Sequence, residues 1–231
     1  TIPRESDAVL YTHAGPEIAV ASTKAFLTQI VAVYLIGLKL AQVNGALNEQ
    51  EIRAIYEQML ELPGKVEQIL ETIEPLRELT RKFATNDTVL FLGRGIQYPI
   101  ALEGALKLKE LAYIHAEGFA GGELKHGPIA LIEEGTAVIS ILPTADEHNL
   151  DEKMLSNIQE VKARGARVIV IAAEGVSVIG AEYIIRIPAA SSILQPVLAT
   201  VPLQVFAYEI AVARGTDVDQ PRNLAKSVTV E

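Results

Sequence analysis

Glu103, Lys107 and Glu110 stand at positions i, i+4 and i+7 of the run YPIALEGALKLKELAYI, residues 98–114. On a helix that spacing puts two carboxylates and an amine on one face. Two readings follow. A solvated stripe of ion pairs is what such spacing commonly makes, and exposed pairs contribute little. A carboxylate held beside a lysine in a cleft could instead move protons. The loop GGELKHGP, residues 121–128, joins two glycines, an acid, a base and a histidine to a Gly-Pro turn. His126 there could shuttle a proton near neutral pH, or could be a loop histidine with no chemical role. Its place before Gly127-Pro128 favours it over His13, His115 and His148. No two histidines have metal-ligand spacing, so no zinc site is expected.

GRG at 93–95 lies between a strand-like and a helix-like run, where α/β proteins bind phosphates. GRGIQY lacks the third glycine of the dinucleotide fingerprint. No Gly-Lys-Ser/Thr loop and no Gly-x-Ser-x-Gly elbow occurs either. The tail DVDQPRNLAKSVTVE, residues 217–231, is polar and carries Arg222 and Lys226. It has neither a Gly/Ser run nor a charge block, and it closes on alternating Val228 and Val230. That alternation suits a short strand or a segment docked in a groove.

These residues need a scaffold. Of the 231 residues, 49% are hydrophobic and only 5% aromatic, with no Trp. A core of Ala, Val, Ile and Leu of that size fits a layered α/β protein. The formal net charge of −9 argues against a broad nucleic-acid surface, which needs clustered Lys and Arg. A local basic pocket for one small phosphate stays open. The absence of Cys removes thiolate nucleophiles and disulfides from this chain and fits a reducing, cytoplasmic setting. The most apolar stretch, Ala25–Leu40, is interrupted by Thr28, Gln29 and Lys39, and no membrane span is expected.

Ala8–Thr12 is an apolar run expected to form a buried strand. Helical periodicity runs from a cap at Ser22 or Thr23 to Val43. Further helices are expected at Asn48–Leu62, stopped by Pro63-Gly64, at Lys65–Ile73, and from Pro75 to about Phe83. From Asn86 strands alternate with helices: TVLFLG, the 98–114 helix, GTAVISILP, Leu150–Arg164, ARVIVIAA, AEYIIRIP, and Pro196–Arg214. Continuous apolar strands between helices imply a parallel sheet covered on both faces, a three-layer α/β/α domain of flavodoxin-like type. The expected division is residues 1–75 as the C-terminal portion of a preceding domain, 76–215 as a complete one, and 216–231 as the tail. The strand, turn and long apolar helix of 8–44 resemble those of 182–214, which suggests a duplication. TIPRESD reads as the middle of a longer polypeptide.

Three stretches, AGPEIAVASTKAFLTQ, the 93–131 region and the tail, closely resemble the isomerase half of the glutamine:fructose-6-phosphate amidotransferase family. The resemblance extends along the whole chain. It implies two sugar-isomerase (SIS) domains, the first of them present only in its closing portion. It implies that Lys226 forms a Schiff base with the ketone of opened fructose 6-phosphate. Glu110 then moves a proton between C1 and C2, with Lys107 as its auxiliary, and ammonia enters at C2. The resemblance makes His126 the ring-opening residue, reaching the site of a neighbouring subunit, and so implies a homodimer. Arg222 lies beside the site, and Val20 and Ala225 contact the sugar. No cofactor is called for. An amine attacks a carbonyl only when neutral, so Lys226 is expected in an enclosed or cation-rich setting.

Two family features have no match. The Ser/Thr-rich phosphate loop is missing, with only AST at 21–23 and SS at 191–192 outside that context. The glutaminase nucleophile, an N-terminal cysteine, is missing too. Both are expected upstream of Thr1, ammonia coming from a glutaminase domain of the same polypeptide, and the chain by itself is not expected to be fully active. Two other functions share the pattern: a SIS-type deglycase or ketose-amine isomerase working without glutamine, and a SIS module that only senses a sugar phosphate.

Overall fold

A computed structural model describes residues 1–145 and 148–226. The chain opens with a short turn of helix, α1 (Ile2–Glu5), followed by α2 (Lys24–Val43), α3 (Glu49–Leu60), α4 (Leu62–Glu71) and α5 (Glu74–Arg81). The α/β unit then runs β1 (Thr88–Gly93), α6 (Gln97–Ala112), β2 (His115–Ala120), β3 (Ala137–Ile141), α7 (Leu150–Lys162), β4 (Arg167–Ala173), β5 (Tyr183–Ile187) and α8 (Gln195–Arg214). Two short 3₁₀ turns, Gly121–His126 and Pro128–Leu131, lie between β2 and β3.

All five strands are parallel, in the order β2-β1-β3-β4-β5. Their side chains alternate between two cores. Val89, Phe91, Ile139, Ile169 and Ile171 face α6 and α8. Leu90, Leu92, Val138, Val168 and Val170 face Met154 and Ile158 of α7. Because successive strand residues point to opposite faces, near-continuous apolar strands are what a sheet buried on both sides requires. The three-layer expectation holds.

Several local expectations fail for physical reasons. Ala8–Thr12 forms no strand, and Val9, Leu10 and Tyr11 are exposed. A strand needs a neighbour for its N–H and C=O groups, and no described residue pairs with this run. Pro63-Gly64 does not stop a helix. Pro63 sits in the first turn of α4, where its missing N–H costs nothing. Asn48 does begin α3: its side chain accepts from Gln50 and Glu51, and Glu51 returns a bond to the Asn48 N–H, a reciprocal cap. HAEGFA, for which no element is expected from the sequence, forms the edge strand β2. Among the described residues it pairs only with β1, and Gly118 allows close approach of Leu102 from α6.

Helices α2 and α8 are both 20 residues long and apolar enough to cross a membrane by length and composition, with mean hydropathies of 1.7 and 1.5. The interruptions at Thr28, Gln29 and Lys39 therefore do not make α2 too short. α8 is a core helix, 72% of its apolar window being buried against the sheet and α6.

Candidate active site

The site is assembled around the C-terminal half of α6. That helix buries Ile100, Ala101, Gly104, Ala105, Leu108 and Leu111. Its amphipathic register also turns Glu103, Lys107 and Glu110 to one side. Lys107 is only 2% exposed. Its Nζ donates to Glu110 Oε2 at 2.6 Å and lies 3.4 Å from Glu103 Oε1. A buried ammonium is tolerated only with such partners. The solvated-stripe reading is thus excluded: this is one amine clamped between two carboxylates. Burial raises the Glu103 pKa above its ordinary value, against the pull of Lys107. The Glu110 side chain keeps 22% exposure and so opens to solvent.

α6 ends at Tyr113, in the left-handed conformation. The tail returns to this corner. Thr216 donates to the Leu111 carbonyl at 2.7 Å. Asp217 accepts from the N–H groups of Asp219 and Gln220, forming a turn. The Arg222 N–H donates to the Tyr113 hydroxyl at 2.8 Å, and its guanidinium stacks 4.3 Å from the centre of that ring. Glu110, Tyr113, Arg222, Asn223 and Leu224 then line one open groove of about 320 Å³.

A second contact fixes the tail to the segment before α2. The Val20 N–H donates to the Asp219 carbonyl at 2.9 Å. Lys226 Nζ donates to the Glu17 carbonyl and, at 2.5 Å, to the Ala19 carbonyl. The Glu17 carboxylate is 3.9 Å from the same amine. Partial burial opposes ionisation of Glu17. Bonds from the Thr23 and Ala25 N–H groups and the Thr23 hydroxyl, together with the charge of Lys226, outweigh it and lower its pKa.

The predicted residues therefore separate into groups. Glu110, Lys107 and Arg222 come together. Val20 and Lys226 both join the tail to the loop before α2, Val20 by its bond to Asp219 and Lys226 by its bonds to Glu17 and Ala19. Ala225 is exposed and makes no polar contact among the described residues. His126 is exposed at the end of a 3₁₀ turn and does not line the Glu110 groove. The Lys226 side chain is 45% exposed and surrounded by oxygen acceptors, not enclosed or flanked by cations as expected. Its nearest neighbours are the two loop carbonyls, which are natural partners for an amine with three donors. The alternating end of the tail, Val228–Glu231, lies outside the described residues.

Two residues escaped the sequence reading. Glu17 organises the loop that holds Lys226, and Tyr113 anchors the tail. A Tyr near the end of a helical run and an acid six residues before a Thr cap are the only signals either left.

The SIS domain family model matches residues 82–214. The chain belongs to this family. It is 62% identical over its full length to glutamine–fructose-6-phosphate aminotransferase [isomerizing] of Streptomyces coelicolor, and 58% identical to the protein of the same name from Corynebacterium efficiens. It spans 38% of the length of each of these relatives. Among solved structures it resembles the C-terminal domain of glucosamine-fructose-6-phosphate aminotransferase from Francisella tularensis. That match has a TM-score of 0.89 and 41% identity, covering 95% of this chain and 61% of that one. A glucosamine-6-phosphate deaminase structure from Thermotoga maritima matches at TM-score 0.60 and 28% identity, covering 92% of this chain and 59% of that one.

Proposed function

We propose that this chain is the closing portion of the isomerase part of a glutamine–fructose-6-phosphate aminotransferase. The carrying observation is the return of the tail onto α6, where Arg222–Leu224 complete the groove that exposes Glu110. A tail docked there is a lid over a carboxylate, and a lid excludes water from a Schiff base.

In this reading His126, exposed and free of the Glu110 groove, serves the ring opening of fructose 6-phosphate in a second subunit. The Lys226 amine leaves its carbonyl partners and attacks the C2 ketone. Water departs and a Schiff base forms. Ammonia, supplied by a glutaminase domain of the same polypeptide, displaces the lysine at C2. The Glu110 carboxylate takes a proton from C1 and returns it to C2, giving the 2-amino aldose, glucosamine 6-phosphate. Lys107 holds that carboxylate in one rotamer by its 2.6 Å bond. The Val20 and Ala225 backbone and Arg222 line the approach to the sugar.

Glu110→Gln in the full-length enzyme tests the base. The substitution should lower glucosamine 6-phosphate formation by roughly 10²- to 10⁴-fold while fructose 6-phosphate still binds. Turnover at the unsubstituted rate would refute the assignment.

A further inference from the structure

The Arg94 loop was singled out in the sequence and plays no part in the chemistry above. In a doubly wound sheet, ligands bind beyond the carboxyl ends of the strands, where the strand order reverses. Here β1 lies between β2 and β3, so that point is the β1/β3 border. Beside it, beyond the carboxyl ends of β1 and β2 and against α7, opens a cleft of about 200 Å³. Arg94 follows β1, Gly121, Gly122 and Lys125 follow β2, and Lys153 and Glu160 come from α7.

The cleft carries three cations against one carboxylate, in a chain whose net charge is −9. Glu160 is committed: it pairs with Lys125 at 2.8 Å and accepts from Ser156 and Asn157. Burial opposes its ionisation, but these donors outweigh that and lower its pKa. Arg94 is only part-exposed, and its single hydrogen bond among the described residues runs from Nε to the Asn157 amide oxygen at 2.9 Å. No carboxylate pairs with it among those residues. Lys153 bonds only a backbone carbonyl there, that of His148. A part-buried guanidinium with both Nη groups unspent is suited to a bidentate oxyanion. Gly121 keeps the floor open: a Cβ there would lie 2.7 Å from Asn157 Oδ1 and 3.1 Å from Arg94 Cγ.

The geometry points to a second ligand site on this domain, one that takes the phosphate of a small phosphomonoester. Arg94 grips two oxygens and Lys153 neutralises the remaining charge. The cleft is larger than a bare phosphate, which leaves room for part of the attached molecule. This site lies apart from the Glu110 groove, sharing none of its lining residues.

Titration of the ¹⁵N-labelled chain with glycerol phosphate, and separately with inorganic phosphate and with chloride at equal ionic strength, tests it. Glycerol phosphate should move the amide resonances of Gly121, Gly122 and Ser156. Arg94→Gln should weaken that binding by about tenfold or more, the loss of one charge-assisted pair. Lys153→Gln, on the exposed side of α7, should weaken it as well and guards against misfolding of the Arg94 variant. Lys226→Met should leave it unchanged, which separates this site from the proposed catalytic one. Equal shifts with chloride, tighter binding of inorganic phosphate than of the ester, or unchanged binding by both cation variants would overturn the proposal.

Discussion

Lys107 shows how one buried charge organises a site. Its ammonium is shared between Glu110 at 2.6 Å and Glu103 at 3.4 Å, with little water to replace either. Lys107→Met leaves two carboxylates facing each other beside the core. It is expected to cost about 3 kcal/mol of unfolding free energy, read by urea denaturation, as broken buried pairs do. A loss below the error of that measurement would mean that the pair is effectively solvated. Glu103 gives a pH signature. Its raised pKa means that the folded state holds the proton more tightly than the unfolded chain. The stability it contributes is complete below the ordinary value of 4.5 and is lost as pH rises through the folded value. Glu103→Gln should therefore flatten the decline in stability just above pH 4.5, and an unaltered pH profile would contradict this. The spacing of the three residues was legible in the sequence, but their burial was not. Helical periodicity fixes which side chains share a face, and only α6 packed in place decides whether that face is wet.

At the scale of elements, the strands that alternate with helices were readable because each is buried on both sides and so is apolar throughout. β2 was not, because an edge strand with Glu117 and Gly118 shares its composition with loops. The run 8–12 erred in the other direction: apolar residues imply burial, yet a strand exists only where a partner takes its backbone. The link between β1 and α6 carries a sharper constraint. A Cβ on Gly93 would lie 2.2 Å from the Gln97 carbonyl oxygen and 2.7 Å from Tyr98 Cα. These are backbone atoms and cannot swing aside. Gly93→Ala should push α6 off the sheet and lower stability by about 3 kcal/mol. Thermal unfolding would measure this, and an unchanged midpoint would imply that α6 can start elsewhere. The Glu17 loop and Tyr113 were invisible for a related reason. Their roles come from contacts between segments 109 and 209 residues apart in sequence, Tyr113 with Arg222 and Glu17 with Lys226.

At the scale of the whole molecule, the tail ties α6 to the loop before α2 through bonds from Thr216, Val20, Arg222 and Lys226. The cores on the two faces of the sheet are built almost wholly without it. Deletion of residues 216–231 should leave the unfolding midpoint nearly unchanged while amides of the 17–20 loop exchange with solvent faster. Hydrogen exchange resolves the two effects, and a collapse of global stability would make the tail structural and not a lid. The proposed chemistry makes its narrowest demand on one amine. Incubation of the full-length enzyme with fructose 6-phosphate and borohydride, followed by peptide mass mapping, should find a reduced hexose-phosphate adduct on Lys226. An unmodified Lys226, with turnover intact before reduction, would contradict the Schiff-base role on which the account rests.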